Sequence, residues 1–265
     1  MKKIIFLCFD LCLLFAVTIY SIYRFNKVEG KAWSLKRKQK TMILANGPSL
    51  NSDIKKILQE SLTSEVYVLN FFAATEYFTK IKPEYYVLTD RMYWSQTIND
   101  DFKKDNENLF LCLDRVDWKM NLICPESGYK WISDRLKSNK NIRIIKVYSA
   151  NVEIKSEKIN LFALNRNLIT PHFINGLVLV LWHAIIQKTS KIEIYGADFS
   201  LFKEYFVNQE NNEVYNVMTH FYKNTKAQKI VGQKYPNEPK KMLHTKLLQT
   251  WSSFNQMYLL SKLGK

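Results

Sequence analysis

The sequence predicts an α/β fold built on a mostly parallel sheet with helices on both faces. Strand-like apolar runs alternate with segments of helical spacing along residues 41–262. The strand-like runs are apolar at consecutive positions, which is typical of strands buried on both faces of a parallel sheet. Several of them end directly on a polar side chain, and ligands of such sheets bind beyond the carboxyl ends of the strands. The pattern therefore also predicts a binding site at one edge of the sheet.

The first half of the folded region contains three predicted strands, and the spacing of apolar residues decides which segments between them are helical. TMILANGPSL (41–50) is typical of a strand and a turn, NSDIKKILQESL (51–62) of a helix, EVYVLN (65–70) of a strand, AATEYFTKI (73–81) of a helix and YYVLTD (85–90) of a strand. Asn46, Asn70, Thr89 and Asp90 thus fall at predicted strand ends.

The second half contains three more predicted strands and two long helices. Strands are predicted at NLFLCL (108–113), NIRIIKV (141–147) and KIEIYGADFS (191–200), a buried helix at FINGLVLVLWHAII (173–186) and an amphipathic helix at 244–264. Asp198 lies at the end of the last strand. Trp251, in the amphipathic helix, lies at a spacing that predicts packing.

The first 23 residues predict a membrane anchor. Residues 4–23 form an apolar run of twenty residues with one charge, Asp10, and twenty residues are about the length that crosses a bilayer. A basic linker, 24–40, carries more positive charge than the two lysines in front of the run, so the positive-inside rule predicts that the domain at 41–265 is cytoplasmic. Because a carboxyl group inside a bilayer is costly, the alternative is a helix lying on a surface or packed on the domain.

The chain is strongly basic, with a formal net charge of +15 over 265 residues. This balance favours anionic partners: nucleic acid, anionic lipid surfaces, or phosphorylated and acidic substrates. No aromatic–basic motif of RNA-binding domains is present, so nucleic acid is the least favoured partner. The four cysteines show neither zinc-site spacing nor a disulfide framework, which favours a reducing compartment.

The turn Asn46-Gly47-Pro48-Ser49 is the first candidate site. It is expected to present the Asn46 side chain and nearby backbone N–H groups to a ligand. It matches neither the dinucleotide-binding glycine motif nor the phosphate-binding loop of nucleoside triphosphatases, so neither standard phosphate fingerprint applies.

Five short motifs, taken in order, resemble one enzyme family. They are ANGPSL (45–50), a strand ending in LN (69–70), the helix start FING (173–176), KIEIYGADFS (191–200) and LHTK (243–246). Their order and spacing resemble bacterial CMP-sialic acid-dependent sialyltransferases and related membrane-associated glycosyltransferases of surface polysaccharide, capsule and lipooligosaccharide synthesis. The resemblance covers roughly residues 41–262. It implies a Rossmann-like, GT-A-type sheet with a small lid at about 200–243.

The resemblance also implies a function and a set of binding residues. The expected reaction is inverting transfer of sialic acid, or a related acidic sugar such as Kdo, from a CMP donor to a glycan or glycolipid acceptor. The expected partners are that donor, that acceptor and the bacterial inner membrane, crossed once, with a homo-oligomer left open. The residues implied to bind substrate are Asn46, Gly47, Ser49, Asn70, Thr89, Asp90, Asn175, Gly176, Asp198, Ser200 and Tyr222.

The implied catalytic residues come from the lid and the last helix. His244 matches the general base of the family, which takes the proton from the acceptor hydroxyl; histidine suits that role because its pKa lies near the working pH. The family uses two tyrosines for the leaving phosphate. Ser200 occupies the first of these positions, Tyr205 fits the second, and His220 with Tyr222 substitutes or assists.

No cofactor or metal is expected. A CMP-sugar releases only a monophosphate, so hydroxyl and imidazole donors suffice for the leaving group, and no Asp-x-Asp motif lies at a strand end. One alternative is an enzyme of the same fold with another nucleotide substrate, similar to a pterin diphosphokinase, which would need a divalent metal. The other is a basic, membrane-tethered protein without enzymatic activity, which binds nucleic acid or lipid by charge alone.

Overall fold

The structure, a computed structural model, describes most of the chain between Lys2 and Leu263. The described residues are 2–25, 32–35, 38–95, 100–149, 152, 154–173, 175–198, 205–210, 213–216, 219–220, 223–224, 228–229 and 243–263. Within the terminal turns of α1, the start of α8 and most of the short strands after 205, only the backbone is described.

The centre of the fold is a six-stranded sheet in which every pair of neighbouring strands is parallel. Its strands are β1 (Lys40–Leu44), β2 (Glu65–Leu69), β3 (Tyr85–Val87), β4 (Met120–Pro125), β5 (Ile142–Val147) and β6 (Lys191–Tyr195). They lie in the order β5-β4-β3-β2-β1-β6. The predicted α/β class with a mostly parallel sheet is confirmed.

Helices cover both faces of this sheet, as the sequence predicts. They are α1 (Lys2–Phe25), α2 (Leu50–Glu60), α3 (Tyr77–Ile81), α4 (Asp100–Asp114), α5 (Glu126–Leu136), α6 (Glu157–Asn165), α7 (Gly176–Ile186) and α8 (Leu243–Leu263). Alternate residues of β1 enter two different cores. Met42 and Leu44 pack with residues of α2 to α5, whereas Ile43 packs with α7 and with Leu260 of α8.

One predicted strand is wrong. Residues 108–113 lie within α4, and the strand at that point of the fold is β4, which begins at Met120. Leu109, Phe110 and Leu113 are buried while Leu111 is about half exposed, which is the pattern of one helix face. A short apolar run does not distinguish a strand from a buried helix, and here its length misled the prediction.

A small antiparallel region follows β6, inside the range predicted as a lid. Strands β7 (Tyr205–Asn208), β8 (Glu213–Asn216) and β11 (Gln228–Lys229) pair in the order β11-β8-β7. Strands β9 (Thr219–His220) and β10 (Lys223–Asn224) form a second pair.

Helix α1 forms where the sequence predicts a membrane-spanning helix. Across the residues that the structure describes, no helix is both long and apolar enough to cross a membrane. The α1 helix contacts α6, where Asp10 is only 1% exposed. Its carboxylate accepts hydrogen bonds from the backbone N–H groups of Lys155 (3.3 Å) and Ser156 (2.9 Å). This arrangement is the one described by the alternative prediction, a helix packed on the domain.

Candidate functional site

The strand order reverses between β1 and β6, and we call the region beyond the carboxyl ends of these two strands the β1–β6 crevice. From β1 the chain builds the sheet outward through β2, β3, β4 and β5, and then returns to the other side of β1 with β6. In open parallel sheets, ligands bind where the strand order reverses in this way. The Asn46-Gly47-Pro48-Ser49 turn follows β1 at this point, and the Gly196-Ala197-Asp198 segment follows β6.

Two glycines join these segments more closely than other residues would allow. The Gly47 N–H donates to the Gly196 carbonyl (2.8 Å), and a Cβ at Gly47 would lie 2.2 Å from Asp198 Oδ2 and 2.5 Å from the Gly196 oxygen. Gly196 has a φ of +67°, and a Cβ there would lie 2.8 Å from the Ala45 oxygen. Gly196 is absent from the predicted site residues. The available signal was a glycine directly after a strand, which often marks close backbone approach.

Asp198 closes the amino end of α2. Its Oδ2 accepts a hydrogen bond from the Ser49 N–H (2.9 Å), so a carboxylate from another segment serves as the cap that Ser49 does not itself supply. A negative charge is favourable at the amino end of a helix. Asp198 therefore links the two halves of the crevice.

The backbone N–H groups of the turn face the protein rather than a ligand, so the expectation for them is wrong. Gly47 donates to Gly196, Ser49 donates to Asp198, and Leu50 donates to the Gly47 carbonyl (3.2 Å). Pro48 has no N–H group. With these donors occupied and a carboxylate beside them, the turn is poorly suited to hold a phosphate.

The Asn46 side chain, unlike the N–H groups of the turn, is not hydrogen-bonded to any residue that the structure describes. Asn46 is only 7% exposed, yet within the described part of the chain neither its Nδ2 nor its Oδ1 has a hydrogen-bond partner. Buried polar atoms are nearly always paired, and an exception needs an explanation. A ligand that supplies one acceptor and one donor would satisfy both atoms.

A second group of predicted residues meets at the start of α7. A Cβ at Gly176 would lie 3.3 Å from Thr89 Oγ1 and 3.8 Å from Asn70 Oδ1, so these two side chains converge on the first turn of the helix. Asn70 has a left-handed backbone (φ 57°), and its carbonyl accepts a hydrogen bond from the Tyr86 hydroxyl. The carboxyl ends of β2 and β3 therefore converge on the amino end of α7.

Two of the predicted binding residues cap helices instead. The Asn175 Oδ1 accepts a hydrogen bond from the Val178 N–H (3.0 Å) at the start of α7. The Asp90 Oδ1 accepts one from the Met92 N–H (3.0 Å) and begins a short 3-10 helix, Arg91–Tyr93. Asparagine and aspartate are common N-caps, so these residues position the site by shaping its loops.

The predicted catalytic residues are described through their backbone alone. Tyr205 lies in β7, His220 in β9 and His244 in the first turn of α8. Ser200 and Tyr222 lie outside the described residues. No group of three or more histidine, cysteine, aspartate or glutamate side chains that could hold a metal occurs within the described portion.

A cavity of about 390 Å³ lies at the opposite, amino-terminal edge of the sheet. Trp33, Glu65, Tyr85 and His183 are among the residues that line it. The His183 Nδ1 hydrogen-bonds the Tyr67 hydroxyl (3.0 Å), and burial lowers the pKa of His183 to about 4, so the ring is neutral near pH 7. The Trp33 backbone N–H donates to Asn121 Oδ1 (2.8 Å) and its indole N–H donates to the Asn141 carbonyl (2.8 Å), so these groups are paired within the protein. The cavity lies at the other edge of the sheet from the Asn46 crevice.

Comparison with known proteins does not assign this chain to a family. No family model matches the chain, and no curated protein matches it.

Proposed function

We propose that this protein is an inverting glycosyltransferase that moves sialic acid, or a related acidic sugar, from a CMP-sugar donor to a glycan or glycolipid acceptor. The observation that carries the proposal is the buried Asn46 amide at the β1–β6 crevice, which has no hydrogen-bond partner within the described residues. The motif order that resembles CMP-sialic acid-dependent sialyltransferases supports the choice of donor.

The chemistry of the crevice suits a pyrimidine base and ribose. A primary amide offers one acceptor and two donors, and the cytosine edge offers acceptors beside an exocyclic amine donor. An Asn46 amide facing such an edge would satisfy both of its polar atoms. The Asp198 carboxylate, placed beside the turn, favours hydroxyl donors such as those of a ribose and disfavours phosphate.

The phosphate of the donor fits the start of α7 better. A helix of this length carries partial positive charge at its amino end, which is favourable for an anion. The Thr89 hydroxyl and the Asn70 amide lie against Gly176 at that end. Base and phosphate would therefore occupy neighbouring parts of the carboxyl edge of the sheet.

The chemical step follows from the resemblance. His244 takes the proton from the acceptor hydroxyl as the hydroxyl oxygen bonds the anomeric carbon of the sugar from the face opposite CMP. The bond between that carbon and the phosphate oxygen breaks, and CMP leaves with the electron pair. Tyr205 and His220 supply hydrogen bonds to the departing phosphate, which lowers the barrier by stabilising the developing charge. The proposed place of the reaction is the cytoplasmic side of the bacterial inner membrane, in surface polysaccharide synthesis.

The test is release of CMP by the purified full-length protein. The donors are CMP-sialic acid and CMP-Kdo, each with lactose-type and lipooligosaccharide acceptors and with EDTA present. The full chain is needed because Asp10 in α1 contacts the start of α6. We expect CMP release from one donor, a loss of at least a hundredfold in His244→Ala, and no loss in His172→Ala, which changes an exposed histidine.

Three results would contradict the proposal. Full activity in a folded His244→Ala protein would mean that His244 is not the general base. Activity that appears only with a divalent cation and another nucleotide would favour the diphosphokinase-like alternative. Absence of CMP release together with absence of CMP binding by calorimetry would exclude a CMP-sugar enzyme.

A further inference from the structure

Helix α1 has one continuous apolar face that is open to solvent. The large side chains Phe9, Leu11, Phe15 and Ile19 are 60%, 51%, 69% and 55% exposed, and Cys8 and Cys12 are exposed as well. The spacing of residues 8, 12, 15 and 19 places them along one side of a helix. Across the described side chains of α1, every exposed residue is apolar. Contiguous exposed apolar surface of this kind marks an interaction site.

The opposite face of α1 is fixed to the domain. Asp10 accepts two backbone hydrogen bonds at the start of α6, and Leu14 and Val17 pack against the apolar cluster that includes Ala163, Leu164 and Leu259. Residues 10, 14 and 17 again lie on one side of the helix. Because a buried carboxylate would lose its hydrogen bonds if the helix rotated, the apolar face is held outward.

We propose that this outward face of α1 docks on an anionic phospholipid bilayer, with the helix lying parallel to the membrane surface. Amphipathic helices bind in this way through their apolar face, aided by basic residues near the anionic headgroups. Lys2 and Lys3 precede the apolar residues of α1, and the basic linker 24–40 follows them. The formal net charge of +15 complements the headgroups further. The inference does not depend on the proposed sugar transfer.

A second helix of the same region carries a similar stripe. On α8, Leu248, Trp251 and Tyr258 are 62%, 63% and 51% exposed, at spacings that place them on one side of the helix. The α6 helix contacts both α1 and α8. Tryptophan and tyrosine are enriched at membrane–water interfaces. The exposure of Trp251 also shows that the sequence prediction of a packed Trp251 is wrong.

A second copy of this chain is the competing occupant, and charge disfavours it. Pairing two α1 faces would bring together two copies of the basic segments on either side of the helix. Like charges brought together repel, whereas an anionic bilayer attracts the same segments.

The experiment is flotation of the full-length protein with two kinds of vesicle. One is made of phosphatidylcholine, and the other of phosphatidylcholine mixed with phosphatidylglycerol. We expect binding to the anionic vesicles, and binding weaker by about tenfold or more in Phe15→Glu and in Phe9→Glu, because each change replaces an inserted aromatic ring with a charge. Leu62→Glu is the matched control: it changes an apolar residue that is 79% exposed, in the turn after α2, and should bind as the wild type does.

The native cysteines report which face is covered. Cys8 and Cys12 lie on the proposed docking face, whereas Cys112 lies in α4 and is partly buried. With a water-soluble maleimide and peptide-level mass spectrometry, we expect labelling of Cys8 and Cys12 to fall severalfold on anionic vesicles while labelling of Cys112 stays constant. Unfolding by urea checks that each variant retains its fold.

The proposal fails on any of three results. The first is absence of binding to anionic vesicles by a folded wild-type protein. The second is binding without protection of Cys8 and Cys12, which would assign the membrane contact to another surface. The third is a wild-type dimer in light scattering that becomes a monomer in Phe15→Glu, with no vesicle binding, which would make a second copy the occupant.

Discussion

At the residue scale, the Asn46 amide is buried, and neither of its polar atoms has a hydrogen-bond partner among the residues that the structure describes. In a free protein such a group is destabilising, because its atoms lose their hydrogen bonds to water and gain none. A ligand that pairs with it recovers this loss. Binding function and stability therefore make opposite demands at this position.

Replacing Asn46 with leucine should change protein stability and CMP binding in opposite directions. In Asn46→Leu the buried amide, which has no partner in the described part of the chain, becomes an apolar group of similar shape, so we expect the free energy of unfolding to rise by about 1–3 kcal/mol. We expect the affinity for CMP to fall by about tenfold or more, which corresponds to about 1.4 kcal/mol or more. Urea unfolding and calorimetry measure the two quantities.

The control for this change is Asn165→Leu, at an exposed asparagine at the end of α6. It should leave both the unfolding free energy and the CMP affinity close to the wild-type values, because exposed substitutions of this kind have small effects. A destabilised Asn46→Leu protein with unchanged CMP affinity would mean that Asn46 does not bind CMP.

His183 makes stability depend on pH in a defined window. Burial lowers its pKa in the folded protein to about 4, from an ordinary value of 6.5. Below pH 6.5 the unfolded chain therefore binds a proton that the folded chain does not, and the folded state loses stability as the pH falls toward 4. The expected loss is about 1.4 kcal/mol per pH unit and about 3 kcal/mol in total.

Urea unfolding of the wild type and of His183→Gln from pH 7 to pH 4 tests this. The slope of the unfolding free energy against pH should differ between the two proteins from pH 6.5 to 4.5, above the range where most carboxylates titrate. His172→Gln, at an exposed histidine, should keep the wild-type slope. Parallel curves for wild type and His183→Gln would mean that His183 is accessible to protons in the folded state.

At the element scale, α1 and α6 depend on each other through Asp10. This carboxylate accepts hydrogen bonds from Lys155 and Ser156, and the Ser156 side chain makes no capping bond of its own. Capping by an acidic group typically contributes about 0.5–2 kcal/mol to a helix. An aspartate inside an apolar segment, which looks costly in a membrane helix, is thus explained by a contact within the domain.

We expect Asp10→Ala to lower the free energy of unfolding by about 1 kcal/mol and to speed hydrogen exchange in α6 without affecting α2. Asp134→Ala, at an exposed carboxylate of α5, is the matched control and should change neither. Mass spectrometry of exchanged peptides from α6 and α2 measures the effect. Equal exchange in Asp10→Ala and wild type would mean that α1 does not hold the start of α6.

Most of the secondary-structure elements were predictable, and the missed strand has an identifiable physical cause. Five of the six sheet strands lie where alternation of apolar and polar segments predicts them. The exception, β4, contains the fully buried Asn121, which bonds the Trp33 backbone and interrupts the apolar run that would mark a strand. Trp33 lies 88 positions away in the chain, so no local sequence pattern could predict that it pairs with Asn121.

The meeting of the polar strand ends at one edge of the sheet was predictable, but their hydrogen bonds were not. Polar residues after strands correctly marked one edge of the sheet, because parallel strands align their carboxyl ends. The turn N–H groups, in contrast, are occupied by Gly196 and Asp198, residues about 150 positions away. Which donors remain free depends on such long-range contacts and is invisible in a short motif.

At the scale of the whole molecule, the crevice lies between two parts of the chain. Its Asn46 side follows β1, at the start of the sheet, and its Asp198 side follows β6, the last strand added to it. The β1–β6 pair is held by parallel strand pairing and by the hydrogen bond from Gly47 to Gly196. A ligand in the crevice would touch both parts at once and should oppose their separation during unfolding.

Nucleotide binding should therefore raise the thermal stability of the whole domain. At a CMP concentration about one hundred times its Kd, linkage predicts about 2.7 kcal/mol of added stability and a Tm higher by several degrees. Cytidine should also raise the Tm, because the crevice suits the base and ribose, whereas inorganic phosphate at the same concentration has only the start of α7 to bind and should raise the Tm less than CMP does. At the same CMP concentration the added stability should fall to about half or less in Asn46→Leu and be retained in Asn165→Leu. Differential scanning calorimetry measures all of these, and a rise with phosphate equal to that with CMP would mean that the base contact assigned to Asn46 is wrong.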